Sequence, residues 1–176
     1  MFHKILVAVD RSATSRQAFE AALSLAKPTG SSLVLLHILS LDDEESPHVP
    51  ILFGKDFYAS GASRSVIQIY ENLWQAYEER GRALLQSLVD EAIAHGIATE
   101  FTQGIGSPGS IICEFAHHTG VDLIVMGRHG YSGLNEWLLG SVSNYVLHHA
   151  PCSVLIIHQP QSATNTVSDH AIATIS

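Results

Sequence analysis

A glycine-rich stretch between Val125 and Ser143 carries the residues best suited to bind an anion. The apolar residues 123–125 are typical of a buried strand, and residues 142–149 have the pattern of a helix. Glycine lets a backbone approach a ligand closely. The start of a helix offers unpaired amides and a positive dipole end to negative charge. A strand, a glycine-rich loop and a helix start in this order therefore predict a phosphate-binding loop over residues 127–140.

A second polar group follows the first apolar segment of the chain. Residues 5–9, Ile-Leu-Val-Ala-Val, are typical of a strand covered on both faces, and Asp10 and Ser12 come directly after them. Ser12 can cap a helix with apolar residues at helical spacing, which the residues 27–30, Lys-Pro-Thr-Gly, would end. Asp10 could bind a ligand, or it could only cap that helix or fix the turn before it.

The rest of the chain alternates strands with helices. The pattern is lost between Ser40 and about Ser65, where acidic residues, prolines and glycines predict a surface insertion. Residues 98–103 alternate like a half-exposed edge strand, and 104–106 read as the turn after it. Further strands are predicted over 32–39, 122–126 and 152–158, and further helices from Val66 to about His95 with Gly81 as a bend, from Ser107 and Pro108 to Thr119, and over 142–149.

Five strands alternating with helices predict an α/β fold, a single doubly wound domain with a five-stranded parallel sheet and helices on both faces. Ligands of such sheets bind at the carboxyl ends of strands where the strand order reverses. With the order 3-2-1-4-5, the first and fourth strands are neighbours there, which brings Asp10 beside Gly127. We expect the domain to span residues 1–158 and the polar residues 159–176 to form a loosely held tail.

The composition narrows the function. With 176 residues, 46% hydrophobic and 15% charged, the chain fits one domain. Nine basic against seventeen acidic residues give a net charge of −8, which argues against nucleic-acid and anionic-membrane partners. No apolar run approaches the roughly 18 residues of a membrane span. The N-terminus lacks the pattern of a leader, and Cys113 and Cys152 form no spaced framework, so we expect a cytoplasmic protein.

The glycine spacing in its strand–loop–helix context resembles the ATP-binding branch of the universal stress protein family. Gly127 is followed after two residues by Gly130 and after nine more by Gly140 and Ser141, and residues 9–12 match as Val-Asp-x-Ser. The similarity covers residues 1–158. It implies an ATP-binding regulator that acts through an unknown protein partner, with Mg²⁺ bridging Asp10 and the phosphates. It also implies a homodimer that pairs through the fifth strand, from Val154 to Ile157.

The resemblance also implies roles for individual residues. Three apolar residues would surround the adenine, Asp10 would face the ribose or a metal-bound water, and the glycines would let the backbone fold around sugar and phosphates. Amides and hydroxyls of residues 140–143 would contact the phosphates. The expected adenine contacts are Val9, Ile38 and Met126, and the other expected nucleotide contacts are Asp10, Arg11, Ser12, Gly127, Arg128, His129, Gly130, Gly140, Ser141, Val142 and Ser143.

Two other functions fit the same residues. A slow ATP hydrolase or phosphotransferase would need a positioned base, for which Asp10 and His129 are the nearby candidates. A dimeric interaction module without a nucleotide would use the glycines only as turn residues. A metal site is less favoured. Cys113 and His117 could offer two ligands, but no third and fourth ligand lies at a spacing typical of a metal site. The sequence contains no G-x-x-x-x-G-K-[ST] motif, so amides rather than a lysine are predicted to bind phosphate.

Overall fold

The chain forms a central parallel sheet with helices packed on both faces. The computed structural model describes residues 1–43, 45–47, 62–128 and 140–158, without the side chains of 62–64. The strands are β1 (Lys4–Ala8), β2 (Ser32–Leu39), β3 (Thr99–Ile105), β4 (Leu123–Gly127) and β5 (Ser153–Ile157). The helices are α1 (Ala13–Thr29), α2 (Ala62–Ala94), α3 (Pro108–Thr119) and α4 (Ser141–His149).

The strand order confirms the predicted doubly wound topology. The order is β3-β2-β1-β4-β5, and every pair of neighbouring strands is parallel. In the middle of the sheet, Val7 of β1 pairs with Leu35 of β2 on one side and with Val125 of β4 on the other. The order reverses between β1 and β4, so the loops that follow these two strands leave the same edge of the sheet.

Two hydrophobic cores explain why the strands are continuously apolar. Alternate residues of a strand point to opposite faces, and here each face is covered by helices. Phe19 of α1 and Leu85 of α2 belong to the core on one face, and Ile112 of α3 and Val146 of α4 belong to the core on the other. In a strand buried on both sides, an apolar residue at every position stabilises the fold, because each side chain is removed from water.

Three predicted boundaries were wrong by a few residues. Helix α2 begins at Ala62 rather than Val66, because its first turn lies outside the apolar periodicity that sequence reading detects. Strand β3 continues through Ile105, so the predicted turn at 104–106 begins two residues too early. Helix α1 contains Pro28 and ends at Thr29, where Gly30 at a φ of 67° closes it.

Gly81 lets the long helix α2 pack closely on the sheet. A Cβ atom at this position would lie 2.6 Å from Cε1 of His37 and would also collide with the side-chain amide of Gln103. The residue predicted to bend the helix therefore serves a close approach to β2 and β3. Among the helices in the described part of the chain, α2 included, none is long and apolar enough to cross a membrane.

Candidate functional site

The candidate site lies where β1, β2 and β4 end. Ala8 of β1 pairs with Met126 of β4. Asp10, two residues after β1, and Gly127, the last residue of β4, therefore lie at two neighbouring strand ends. Leu36 of β2 is paired with Ala8 on the other side, and Ile38 follows two residues later. The topology therefore brings together the two strand ends that the sequence predicted to line one crevice, with the end of β2 beside them.

Asp10 is exposed and takes part in the turn before α1. Its Oδ1 accepts a hydrogen bond of 2.7 Å from the amide of Ser12, and its own amide donates to Oγ of Ser15 over 2.8 Å. Ser12 caps α1 as predicted, because its Oγ accepts from the amide of Ser15 over 3.1 Å. The turn-forming alternative is thus realised at one carboxylate oxygen, and the carboxylate still faces solvent at the sheet edge.

A small cavity lies on the α2 side of these residues. Asp10, Arg11 and Ser12 line it, and Leu84 and Leu88 of α2 form part of its opposite wall. Its volume of about 170 Å³ is below the roughly 300–1,000 Å³ of a typical small-molecule site. The cavity is therefore too small to hold a small-molecule ligand by itself and can form only part of the crevice.

Gly127 is required by the contact between β4 and α1. A Cβ atom here would lie 2.7 Å from the backbone carbon of Thr14, 2.8 Å from its oxygen and 2.9 Å from the amide nitrogen of Ser15. Real Cβ atoms do not approach backbone this closely, so only glycine fits without a shift of the helix. The glycine predicted to receive a ligand thus brings the start of α1 against the end of β4.

The start of α4 meets Gly127 from the other side. Gly140 is the N-cap, and the amides of residues 141–143 precede the first helical hydrogen bond, from Asn144 N to Gly140 O over 2.9 Å. Ser143 is 1% exposed, and its Oγ donates to the carbonyl of Gly127 over 3.4 Å. Its hydroxyl is therefore turned toward β4, while Ser141 is exposed.

The apolar residues predicted around a base divide between the two faces of the sheet. Ile38 and Met126 pack with the core under α3 and α4, and Val142 packs there too. The side chain of Val9 belongs to the core under α1 and α2, while its amide donates to Leu36 O over 2.9 Å. Val9 can therefore face a ligand at the sheet edge only with its backbone.

Sequence reasoning missed the wall beside Ile38. Gly104 pairs with Ile38 across the β2–β3 ladder, and a Cβ atom at Gly104 would lie 3.0 Å from Cγ2 of Ile111. Gly106 follows at a φ of 138°, a conformation that favours glycine. The Gly-Ile-Gly-Ser-Pro run was the available signal, but it reads as an ordinary turn before a helix. This turn brings α3 close to the end of β2.

The remaining predicted contacts are only partly described. The amide of Arg128 donates to the carbonyl of Ile157 over 2.8 Å, which ties the end of β4 to β5. His129 and Gly130 lie outside the described residues, as does the rest of the loop to residue 139. Within the described ranges, no group of three or more His, Cys, Asp or Glu side chains is placed to hold a metal. The contact of Asp10 with Mg²⁺ stays a prediction.

The residues after β2 form an ordered turn at the site. Asp43, in the predicted surface insertion, is half-buried, and its Oδ2 accepts from the hydroxyl of Tyr77 over 2.7 Å. Burial, and secondly this hydrogen bond, raise the pKa of Tyr77 above its ordinary value of 10.0. Glu45 of the same turn accepts from Nη1 of Arg11 over 2.8 Å. The beginning of the predicted insertion is therefore fixed to both α2 and the loop after β1, while residues 48–61 lie outside the described part.

A buried histidine lies beneath this turn. His37 is 4% exposed, and its Nδ1 is 3.2 Å from Nε2 of Gln103, which also donates to the carbonyl of Glu78 over 3.2 Å. Burial lowers the pKa of His37 below 6.5, and nearby carboxylates act in the opposite direction. A neutral ring that accepts at Nδ1 satisfies both observations, so His37 serves the packing of α2 on the sheet.

Fold and site together define a class of protein. The chain is a doubly wound α/β protein whose crevice lies where the strand order reverses, with two helix starts at its edge. The chain belongs to the universal stress protein family, whose family model matches residues 1–158.

Similar proteins cover nearly the whole chain. Universal stress protein Sll1388 of Synechocystis sp. is 35% identical over 156 residues, which are 89% of this chain and 97% of that protein. The solved structure of MJ0577 of Methanocaldococcus jannaschii has a TM-score of 0.70 at 25% identity and covers 92% of this chain and 99% of its own. A universal stress protein in complex with cAMP has a TM-score of 0.59 at 25% identity, covering 89% and 97%.

Proposed function

We propose that the chain is a nucleotide-binding regulator that holds an adenine nucleotide, with ATP as the expected ligand, across the carboxyl ends of β2, β1 and β4. The observation that carries this proposal is the meeting of two helix starts at Gly127. The first turn of α1 packs against its backbone, and Ser143 of α4 bonds its carbonyl. Both helices direct the positive ends of their dipoles toward this edge, where they favour phosphate.

The cAMP complex of a related protein supports an adenine nucleotide as the ligand class. On the face covered by α3 and α4, Ile38 and Met126 would contact the base, together with the backbone of Val9. The exposed carboxylate of Asp10 would face the ribose or share Mg²⁺ with the phosphates, since hard cations take carboxylate and phosphate oxygens together. Mg²⁺ would neutralise phosphate charge there.

The amides of residues 140–143 would bind the phosphates, with the loop residues His129 and Gly130 completing the cradle according to the sequence pattern. Such a site neutralises charge without a lysine. It favours retention of the nucleotide over its cleavage, because Asp10 commits one oxygen to the turn before α1. We therefore propose a cytoplasmic protein that signals through a protein partner and has at most weak hydrolase activity.

We further propose a homodimer that pairs through β5. This strand lies at the edge of the sheet, next to β4 on one side. The apolar residues from Val154 to Ile157 are only half-buried. An apolar edge strand with open backbone groups is a surface that proteins generally cover, and a second copy of the same strand can do so.

Calorimetry on the purified protein tests the nucleotide site. We expect ATP to bind at micromolar concentration and both Gly140→Ala and Asp10→Ala to weaken it at least tenfold. Gly140 has a φ of −56° and a ψ of 154°, which alanine also adopts, so this substitution probes ligand approach without straining the backbone at this position. Asp90→Asn, on the exposed face of α2, removes a carboxylate elsewhere and serves as the charge control.

The outcomes separate the candidate functions. Binding of ATP no tighter than millimolar by the wild type would contradict the proposal. Release of several phosphates per second, lost in Asp10→Ala, would instead establish an enzyme. Identification of the small molecules released from the purified protein would show which adenine nucleotide it carries.

A further inference from the structure

An ion pair links the two loops that leave the carboxyl ends of β1 and β2. Arg11 follows Asp10 in the first loop, and its Nη1 donates to Oε2 of Glu45 in the second over 2.8 Å. The two side chains are 55% and 44% exposed, so water screens their attraction and the pair is weak. A phosphate can therefore compete with Glu45 for the guanidinium, whose planar donors suit phosphate as well as carboxylate.

Glu45 is held in place independently of Arg11. The amide of Asp43 donates to Ser40 O, the amide of Ser46 donates to Asp43 O, and the amide of Glu45 donates to Oδ1 of Asp43 over 3.0 Å. The turn is also fastened to α2, because the carboxylate of Asp43 accepts from the buried Tyr77. The guanidinium of Arg11 is 55% exposed and sits on a longer side chain than the carboxylate of Glu45, so it can turn away from Glu45 toward a ligand.

The surroundings of this ion pair are acidic. Glu45 accepts from Arg11, which follows Asp10 in the chain, and the amide of Glu45 donates to Oδ1 of Asp43 over 3.0 Å, so these three carboxylates lie in one region. The chain as a whole carries a net charge of −8. A nucleotide phosphate that enters this region meets repulsion, and a guanidinium that turns from Glu45 toward the phosphate offsets it.

Resting on the nucleotide site proposed above, we propose that Arg11 sets the preference of this site for nucleotides with more than one phosphate, and that Glu45 restrains Arg11 in the ligand-free protein. A triphosphate carries roughly twice the negative charge of a monophosphate. It therefore competes better with Glu45 for the guanidinium of Arg11 and gains more binding free energy from that contact. Arg11 thus determines which adenine nucleotide binds more tightly, while the rest of the crevice provides the affinity that all adenine nucleotides share.

A double-mutant cycle measured by calorimetry tests this role. Dissociation constants for ATP and AMP are compared for the wild type, Arg11→Gln, Glu45→Gln and the double variant. Arg11→Gln is expected to weaken ATP about tenfold and AMP less than about threefold, since it removes a charged hydrogen-bond donor. Glu45→Gln is expected to tighten ATP about threefold, because Arg11 is released and a nearby negative charge is removed.

Asp42→Asn is the matched control, since Asp42 is an exposed carboxylate in the same turn. This variant shows how much the ATP dissociation constant changes when one negative charge is removed from the turn without releasing Arg11. In the Arg11→Gln background, the gain from Glu45→Gln should fall to that of Asp42→Asn. Both members of the ion pair are exposed, so thermal unfolding should show all variants folded.

Two results would overturn the role of Arg11. Equal changes in the ATP and AMP dissociation constants for Arg11→Gln would exclude a preference based on phosphate charge while leaving the nucleotide site intact. An undiminished gain from Glu45→Gln in the Arg11→Gln background would exclude restraint by Glu45. Failure of the wild type to bind either nucleotide would overturn the proposed function together with this inference.

Discussion

Replacing Gly127 by alanine tests the central contact of the site. The added Cβ would lie 2.7 Å from the backbone carbon of Thr14, whereas nonbonded carbons prefer separations of about 3.5 Å or more. Relief requires β4 and α1 to separate by roughly 0.8 Å, and no side chain can absorb the shift because the atoms in contact are backbone. Overpacking of this kind typically destabilises by about 1–3 kcal/mol. We therefore expect Gly127→Ala to lower the free energy of unfolding by about 2 kcal/mol.

Thermal and urea unfolding at one fixed protein concentration measure this loss. A decrease of about 2 kcal/mol corresponds to about 4–8 °C in Tm for a chain of this size. Thr14→Ala combined with Gly127→Ala provides the control, because removal of the Thr14 side chain cannot relieve a collision with its backbone. The two effects should therefore add. Stability of Gly127→Ala within about 0.5 kcal/mol of the wild type, or rescue by Thr14→Ala, would refute the close approach of β4 and α1.

Two further predictions concern stability and assembly. The side chain of Glu91 binds Nη1 and Nη2 of Arg16 at 2.6 and 2.7 Å, and this hydrogen bonding lowers the pKa of Glu91 below 4.5. The stabilisation, roughly 0.5–1 kcal/mol for so exposed a pair, is present above pH 4.5 and lost as pH falls through the lowered pKa. Glu91→Gln should thus be less stable than the wild type at pH 7, and the difference should shrink progressively as pH falls below 4.5. A difference independent of pH in urea unfolding would contradict this. Light scattering should give a mass twice that of the 19.0 kDa chain. Val154→Lys, which places a charge at the β5 edge, should lower the measured mass toward that of the monomer. A wild-type monomer at micromolar concentration would rule out the dimer.

The sheet could be predicted from the sequence because its determinants are local and repeated. Continuous apolar runs at 5–9 and 123–125 identify strands that are buried on both faces. The helix signals at Ser12 and at Ser107 with Pro108 mark where the chain turns back, and the alternation of elements then favours one topology. Boundaries failed where a signal is weak, as in the first turn of α2, which carries none of the apolar periodicity that marks the rest of the helix.

The candidate site divides differently between sequence and structure. The sequence by itself determined that Asp10 and Gly127 lie at strand ends and that a helix begins after Gly140, because residue type and spacing fix these features locally. The pairing of β1 with β4, which makes these two strand ends neighbours, is a property of the folded sheet. Only the tertiary structure decided that the backbone of Thr14 occupies the space where a side chain at Gly127 would lie. It also decided that Val9 packs in the opposite core from Ile38, and that Glu45 pairs with Arg11. These contacts join residues from separate segments of the chain. They depend on the distances at which helices pack on the sheet, and the pattern of a single sequence does not contain those distances.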